Sequence, residues 1–152
     1  MPSDGAVIVV GYDGSRASDA ALDLALARAA GGGKLFVVHA YEAPADYMGA
    51  PYYEVMLDAA AQHARTLIER LQADGRLAGV DWEPEVIAGP AARSLADVAR
   101  VRDADEIVLG TRGVGRVRAL LGSVAHELLH LADRPVTVIP ERMLGDRGEA
   151  AA

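Results

Sequence analysis

Two glycine-containing stretches hold the residue types that could do chemistry. The longer runs from Glu106 to Ser123 and reads EIVLGTRGVGRVRALLGS. An apolar run (Ile107, Val108, Leu109) turns at Gly110, a loop with Gly113 and Gly115 follows, and a helix is expected from Gly122-Ser123 onward. Glycine lets the backbone take positive φ and lets a ligand approach, because no Cβ stands in the way. A helix start presents N–H groups without intrahelical acceptors, together with the positive end of a dipole, and so seats phosphate. Strand, glycine loop and helix start in this order predict a phosphate cradle. The shorter stretch, Gly11-Tyr12-Asp13-Gly14-Ser15, carries a single carboxylate. A carboxylate only accepts hydrogen bonds, which suits hydroxyl and amino groups.

Each of these residues also has a plain structural role. Asp13 can close a turn by accepting from Gly14 or Ser15, Gly110 and Gly113 can be turn glycines, Gly122 a packing glycine and Ser123 a helix cap. Arg112, Arg116 and Arg118 make the longer loop basic, which suits a polyphosphate and solvent about equally. A second motif competes. His126-Glu127-Leu128-Leu129-His130 spells HExxH, in which two imidazoles one helical turn apart bind zinc and the glutamate activates water, the mark of a zinc metallohydrolase. Against it, Ser123, His126, Glu127, His130 and Asp133 form the polar face of an amphipathic helix whose apolar face is Val124, Leu128 and Leu131. The following LADRPV lacks the glycine and third histidine of the extended motif, and His39 and His63 are distant in sequence. There is no GxxxxGK[ST], no GxSxG and no cysteine, and no general base stands evidently beside a nucleophile, so no catalytic residue is assigned.

The elements that must position the two stretches follow from hydrophobic patterning. At 152 residues, 51% hydrophobic, the chain can bury a core without staples, and one domain over 1–143 is expected. Apolar runs at Ala6–Val10, Leu35–Ala40 and Ile107–Leu109 read as strands buried on both faces. Val80–Ala88 alternates, with Val80, Trp82, Val86 and Ala88 expected inward, and Pro84 marks it as an edge. Pro135–Pro140 (PVTVIP) is a last strand between prolines. Helical spacing appears at Ala21, Leu22, Ala25, Leu26 and Ala29; over a longer helix to about Asp74 with Val55, Ala59, Leu67, Ile68 and Leu71 inward; at Ala91, Leu95, Val98 and Ala99 behind Pro90; and over Ser123–Ala132. Strands alternating with helices predict an α/β fold, an open parallel five-stranded sheet with helices on both faces, in the order 3-2-1-4-5. That order reverses direction between the first and fourth strands, where such sheets bind ligands beyond their carboxyl ends. Both glycine stretches belong there. The net charge of −7 disfavours nucleic acid, no apolar run reaches the length of a membrane span, Met1-Pro2-Ser3-Asp4 lacks the basic and apolar regions expected of a signal peptide, and the absence of cysteine fits a cytoplasmic location. Residues 144–152 (LGDRGEAAA) have little to bury and are expected to be disordered.

With both stretches in view the chain resembles the universal stress protein family over nearly its whole length. The resemblance is carried by VIVVGYDGS, VVHAY, GPAARSLADVA and DEIVLGTRG…LLGSVAHELLHLADRPVTVIP. Nucleotide-binding members carry glycine, two residues, glycine, nine residues, glycine, then serine or threonine. Gly110, Gly113, Gly122 and Ser123 match, but eight residues, Val114 to Leu121, separate the second and third glycines. The loop must absorb the missing residue, which would otherwise turn the incoming helix by about 100°. The resemblance implies a Rossmann-like, adenine nucleotide alpha-hydrolase-like fold and an ATP site, with magnesium on the phosphates and at most slow hydrolysis. Asp13 would contact adenine and ribose, the backbone near Ala40 the adenine edge, and Gly110 the ribose. Gly113, Gly122, Ser123 and Val124 would hold the phosphates. It also implies a homodimer through the Pro135–Pro140 edge strand, where two-fold pairing would cover open backbone groups. The same fold acting as a dimeric stress protein without nucleotide is the alternative that the eight-residue spacing keeps open.

Overall fold

The computed structural model describes residues 5–45, 49–111 and 121–140. In chain order these form β1 (Val7–Gly11), α1 (Arg16–Ala29), β2 (Lys34–Tyr41), α2 (Ala50–Ala73), β3 (Asp81–Ala88), α3 (Ala91–Val101), β4 (Glu106–Gly110), α4 (Ser123–Leu131) and β5 (Val136–Ile139). The expected loop around Gly113 and Gly115 and the expected disordered tail lie outside the described residues. The five strands make one parallel sheet in the order β3-β2-β1-β4-β5, as the patterning predicts. No described helix is long and apolar enough to cross a membrane.

The pleat sorts the central strands into two cores, because successive side chains point to opposite faces. Ile8, Val10, Leu35, Val37 and Val108 face Ala21, Leu22 and Ala25 of α1 and Ile68 and Leu71 of α2. Val9, Phe36, Val38, Ile107 and Leu109 face Leu95, Val98 and Ala99 of α3 and Ala125 and Leu128 of α4. Full burial of one such aliphatic side chain contributes about 1.5–3 kcal/mol, so these two layers hold the helices to the sheet.

Three details differ from expectation. In α2, Val55 is 66% exposed and Ala59 is exposed, while Ala64, Ile68 and Leu71 are buried. Thirteen residues at 100° each carry Val55 about 220° around the helix from Ile68, off the inner stripe. Leu131 of α4 is exposed, and Ala125 with Leu128 covers the sheet instead. In β3, Val86 is 40% exposed and Ala88 is exposed too, whereas Glu85 and Ile87 are half-buried. Glu85 accepts from Arg102, whose guanidinium also lies over the Phe36 ring, 4.8 Å from its centroid. Lys34 adds ion pairs to Asp81 and Glu83 of the same strand. The β3 edge is thus charged and carries Pro84, while β5 shows Val136, Thr137, Val138 and Ile139, all half-buried.

Candidate functional site

Beyond the carboxyl ends of β1, β2 and β4 lies a cleft of about 840 Å³. Its wall is built by the starts of three helices, α1 (Ser15, Ser18), α3 (Ala91) and α4 (Ser123, Val124, Ala125), and by the ends of the three strands. Parallel strands followed by helices put helix N-termini, with their N–H groups and positive dipole ends, on this one side of the sheet.

The loop after β1 is held by hydrogen bonds. The Tyr12 N–H donates to the Val38 carbonyl at 2.9 Å, and His39 Nδ1 lies 2.9 Å from the Tyr12 carbonyl. A carbonyl only accepts, so Nδ1 carries a proton, and the ring lines the cleft. The Tyr12 hydroxyl donates to Asp19 Oδ1 at 3.1 Å, and Asp19 also receives Arg76 Nη1 at 2.8 Å. Burial first, then the adjacent Asp19 charge and hydrogen bond, pushes the Tyr12 phenol up to about 12. Asp13 is exposed at the cleft, and its Oδ1 accepts from the Ser15 N–H at 2.9 Å. The turn role foreseen for Asp13 is therefore real. Gly14 sits at φ +80°, and a Cβ there would come 2.8 Å from Leu67 Cδ1. Ser15 caps α1, its Oγ accepting from the Ser18 N–H at 3.2 Å.

The end of β4 is set by close approach instead. A Cβ on Gly110 would lie 2.4 Å from the Ala17 carbonyl carbon and oxygen, so this glycine admits α1 to the end of β4. Its demand is for packing, which the expectation of a ribose contact had not foreseen. Thr111 continues the pairing, donating its N–H to the Ile139 carbonyl at 2.9 Å. Gly122 is the N-cap of α4 at φ −59° and ψ 153°, a conformation open to any residue, and its carbonyl accepts from the His126 N–H at 2.9 Å. Ser123 is the first helical residue rather than the cap.

Of the residues singled out in the sequence, Asp13, Ala40, Gly110, Gly122, Ser123 and Val124 all line this cleft. Gly113 lies outside the described residues. The sequence reading missed His39, Glu42 and Leu95, which line it too. His39 had a signal: a polar ring inside the apolar run LFVVHA needs a partner. Among the described lining residues the charged side chains are Asp13 and Glu42, with no Lys or Arg, so donors on this wall come from the main chain and hydroxyls.

The family model of the universal stress protein family matches residues 6–140. The chain belongs to the universal stress protein family. It is 38% identical over 136 residues to a universal stress protein of Thermus aquaticus, covering 87% of this chain and 96% of that one. The solved universal stress protein UspA of Lactobacillus plantarum is 26% identical, with a TM-score of 0.75, 88% of this chain and 97% of that chain covered. A universal stress protein solved in complex with cAMP is 27% identical, with a TM-score of 0.61, 90% and 98% covered. In this universal stress protein the HExxH letters fall on α4, where His126, Glu127 and His130 are exposed. The two imidazoles meet edge to face at 5.0 Å between centroids, and among the described residues no three His, Cys, Asp or Glu side chains gather as a metal site would require.

Proposed function

We propose that this protein binds an adenine nucleotide, ATP with magnesium, in the cleft at the carboxyl ends of β1, β2 and β4, and acts as a nucleotide-responsive module in the stress response rather than as a dedicated enzyme. The observation that carries the reading is the convergence of Asp13 and Ala40 from one half of the chain with Gly110, Gly122, Ser123 and Val124 from the other on one cleft wall. Carboxylate acceptors stand on the β1–β2 side (Asp13, Glu42), and main-chain donors stand at the start of α4. Ribose hydroxyls and the adenine amino group would lie against the first, phosphates against the second. The volume of about 840 Å³ suits a ligand of this size. The relative solved with cAMP supports the adenine-nucleotide class.

Magnesium would sit on the phosphate oxygens and lower the charge that the main-chain donors face, since the described wall itself brings two carboxylates. Gly113 would add its N–H to the phosphate end. The protein would work in the cytoplasm as a homodimer joined through Pro135–Pro140, whose strand is short, apolar and half-buried at the sheet edge. Isothermal titration of the full chain with ATP, with and without magnesium, and with cyclic AMP tests the reading: saturable one-to-one binding is expected. Heat of dilution alone for every nucleotide would instead support a dimeric stress protein without nucleotide, the reading favoured by the eight residues between Gly113 and Gly122.

A further inference from the structure

We propose that His39 is a positioning residue of this cleft: its Nδ1–H holds the peptide that joins Tyr12 to Asp13 and so aims the Asp13 carboxylate. Only the binding readout below rests on the nucleotide reading.

His39 is 7% exposed, in register with Val86 of β3, and sits between Val38 and Ala40 in the strand beside β1. An imidazole in such a place is unfavourable unless it is hydrogen-bonded. Its Nδ1 is 2.9 Å from the Tyr12 carbonyl, while the neighbouring Val38 carbonyl receives the Tyr12 N–H at 2.9 Å. Consecutive residues of β2 therefore hold both main-chain polar groups of Tyr12, one through its backbone and one through its side chain. This happens one residue past Gly11, where β1 ends. The chain leaves the sheet under the control of a side chain.

The Tyr12 carbonyl and the Asp13 N–H belong to one rigid peptide plane. Fixing that plane fixes the direction in which Asp13 sets out, and its Oδ1 then closes on the Ser15 N–H at 2.9 Å. A leucine at 39 would fill the space yet leave the Tyr12 carbonyl without its donor. Asparagine can return an N–H near the Nδ1 position. Glutamine reaches toward the Nε2 position instead.

The test uses the full chain. In the ligand-free wild type, long-range proton–nitrogen NMR should show His39 protonated on Nδ1, and an Nε2–H tautomer overturns the proposal without any substitution. Amide hydrogen exchange then follows Ser15, with Leu22 of α1 and Val9 of β1 as controls for global stability. His39→Leu should speed Ser15 exchange about tenfold beyond the controls and weaken ATP about tenfold, the scale of one lost hydrogen bond. His39→Asn should restore both and His39→Gln neither. Ser15 exchange that moves only with the controls, or rescue by glutamine as full as by asparagine, defeats the proposal. If the wild type binds no ATP, the nucleotide reading fails, and the exchange and tautomer results still decide the role of His39.

Discussion

The loop after β1 and the end of β4 reach the same cleft but are fixed by opposite means. Side chains brace the first: His39 and Asp19 hold Tyr12, Asp13 holds Ser15, and Ser15 caps α1. The second is set by what is missing, since Gly110 lets the Ala17 backbone approach to where a Cβ would be 2.4 Å away. A change in the first should alter aim while the fold persists. A change in the second should alter the fit of helix to sheet.

The strongest test of that contrast is Gly110→Val, which should destabilise the fold by about 3 kcal/mol, read as a lowered urea midpoint, because backbone atoms of α1 cannot step aside. Gly122→Val, on a backbone with φ −59° that side chains can adopt, should cost less, about 1 kcal/mol for the poorer N-cap, and lose triphosphate binding. An equal loss of stability in the two would erase the distinction. Next, Asp13→Ala should weaken ATP by about 1.5–3 kcal/mol in titration calorimetry, the range for a hydrogen bond to a charged group, and cost about 1 kcal/mol of stability with the Ser15 hydrogen bond.

Tyr12 gives a smaller effect with a definite sign. Its phenol is raised from 10.0 to about 12, so the folded state favours the neutral ring. That stabilisation is complete below pH 10 and is lost as pH rises from 10 through 12. Tyr12→Phe should lose about 1 kcal/mol at neutral pH with the Asp19 hydrogen bond, and its unfolding midpoint should fall less steeply than that of the wild type above pH 10. The smallest change is expected for Ser123→Ala, about 0.5–1 kcal/mol of ATP affinity and little stability. A larger loss of stability would mean that its hydroxyl serves the helix.

Strand order was legible because three runs, around Val9, Val37 and Val108, are apolar without alternation and had to be central. The meeting of Asp13 with the start of α4 followed from that order. Less legible was anything decided by the far side of a contact. Val55 and Ala59 fit a helical stripe, but which stripe faces inward depends on where Ile68 meets the sheet. Gly110 looks like a turn glycine until Ala17 is placed beside it. His39 was visible as a letter but not as a strut, because its partner carbonyl is 27 residues away.

The two borders of the sheet also set how far it can grow. On the β3 side Pro84 withholds an N–H, and Asp81, Glu83 and Glu85 are tied into ion pairs with Lys34 and Arg102. Another copy arriving there would meet a missing donor and a border of charged side chains. Strand-to-strand addition would be left with the β5 side, and the proposed two-fold pairing there would use it up. Such an assembly would close at two copies rather than lengthen into a fibre.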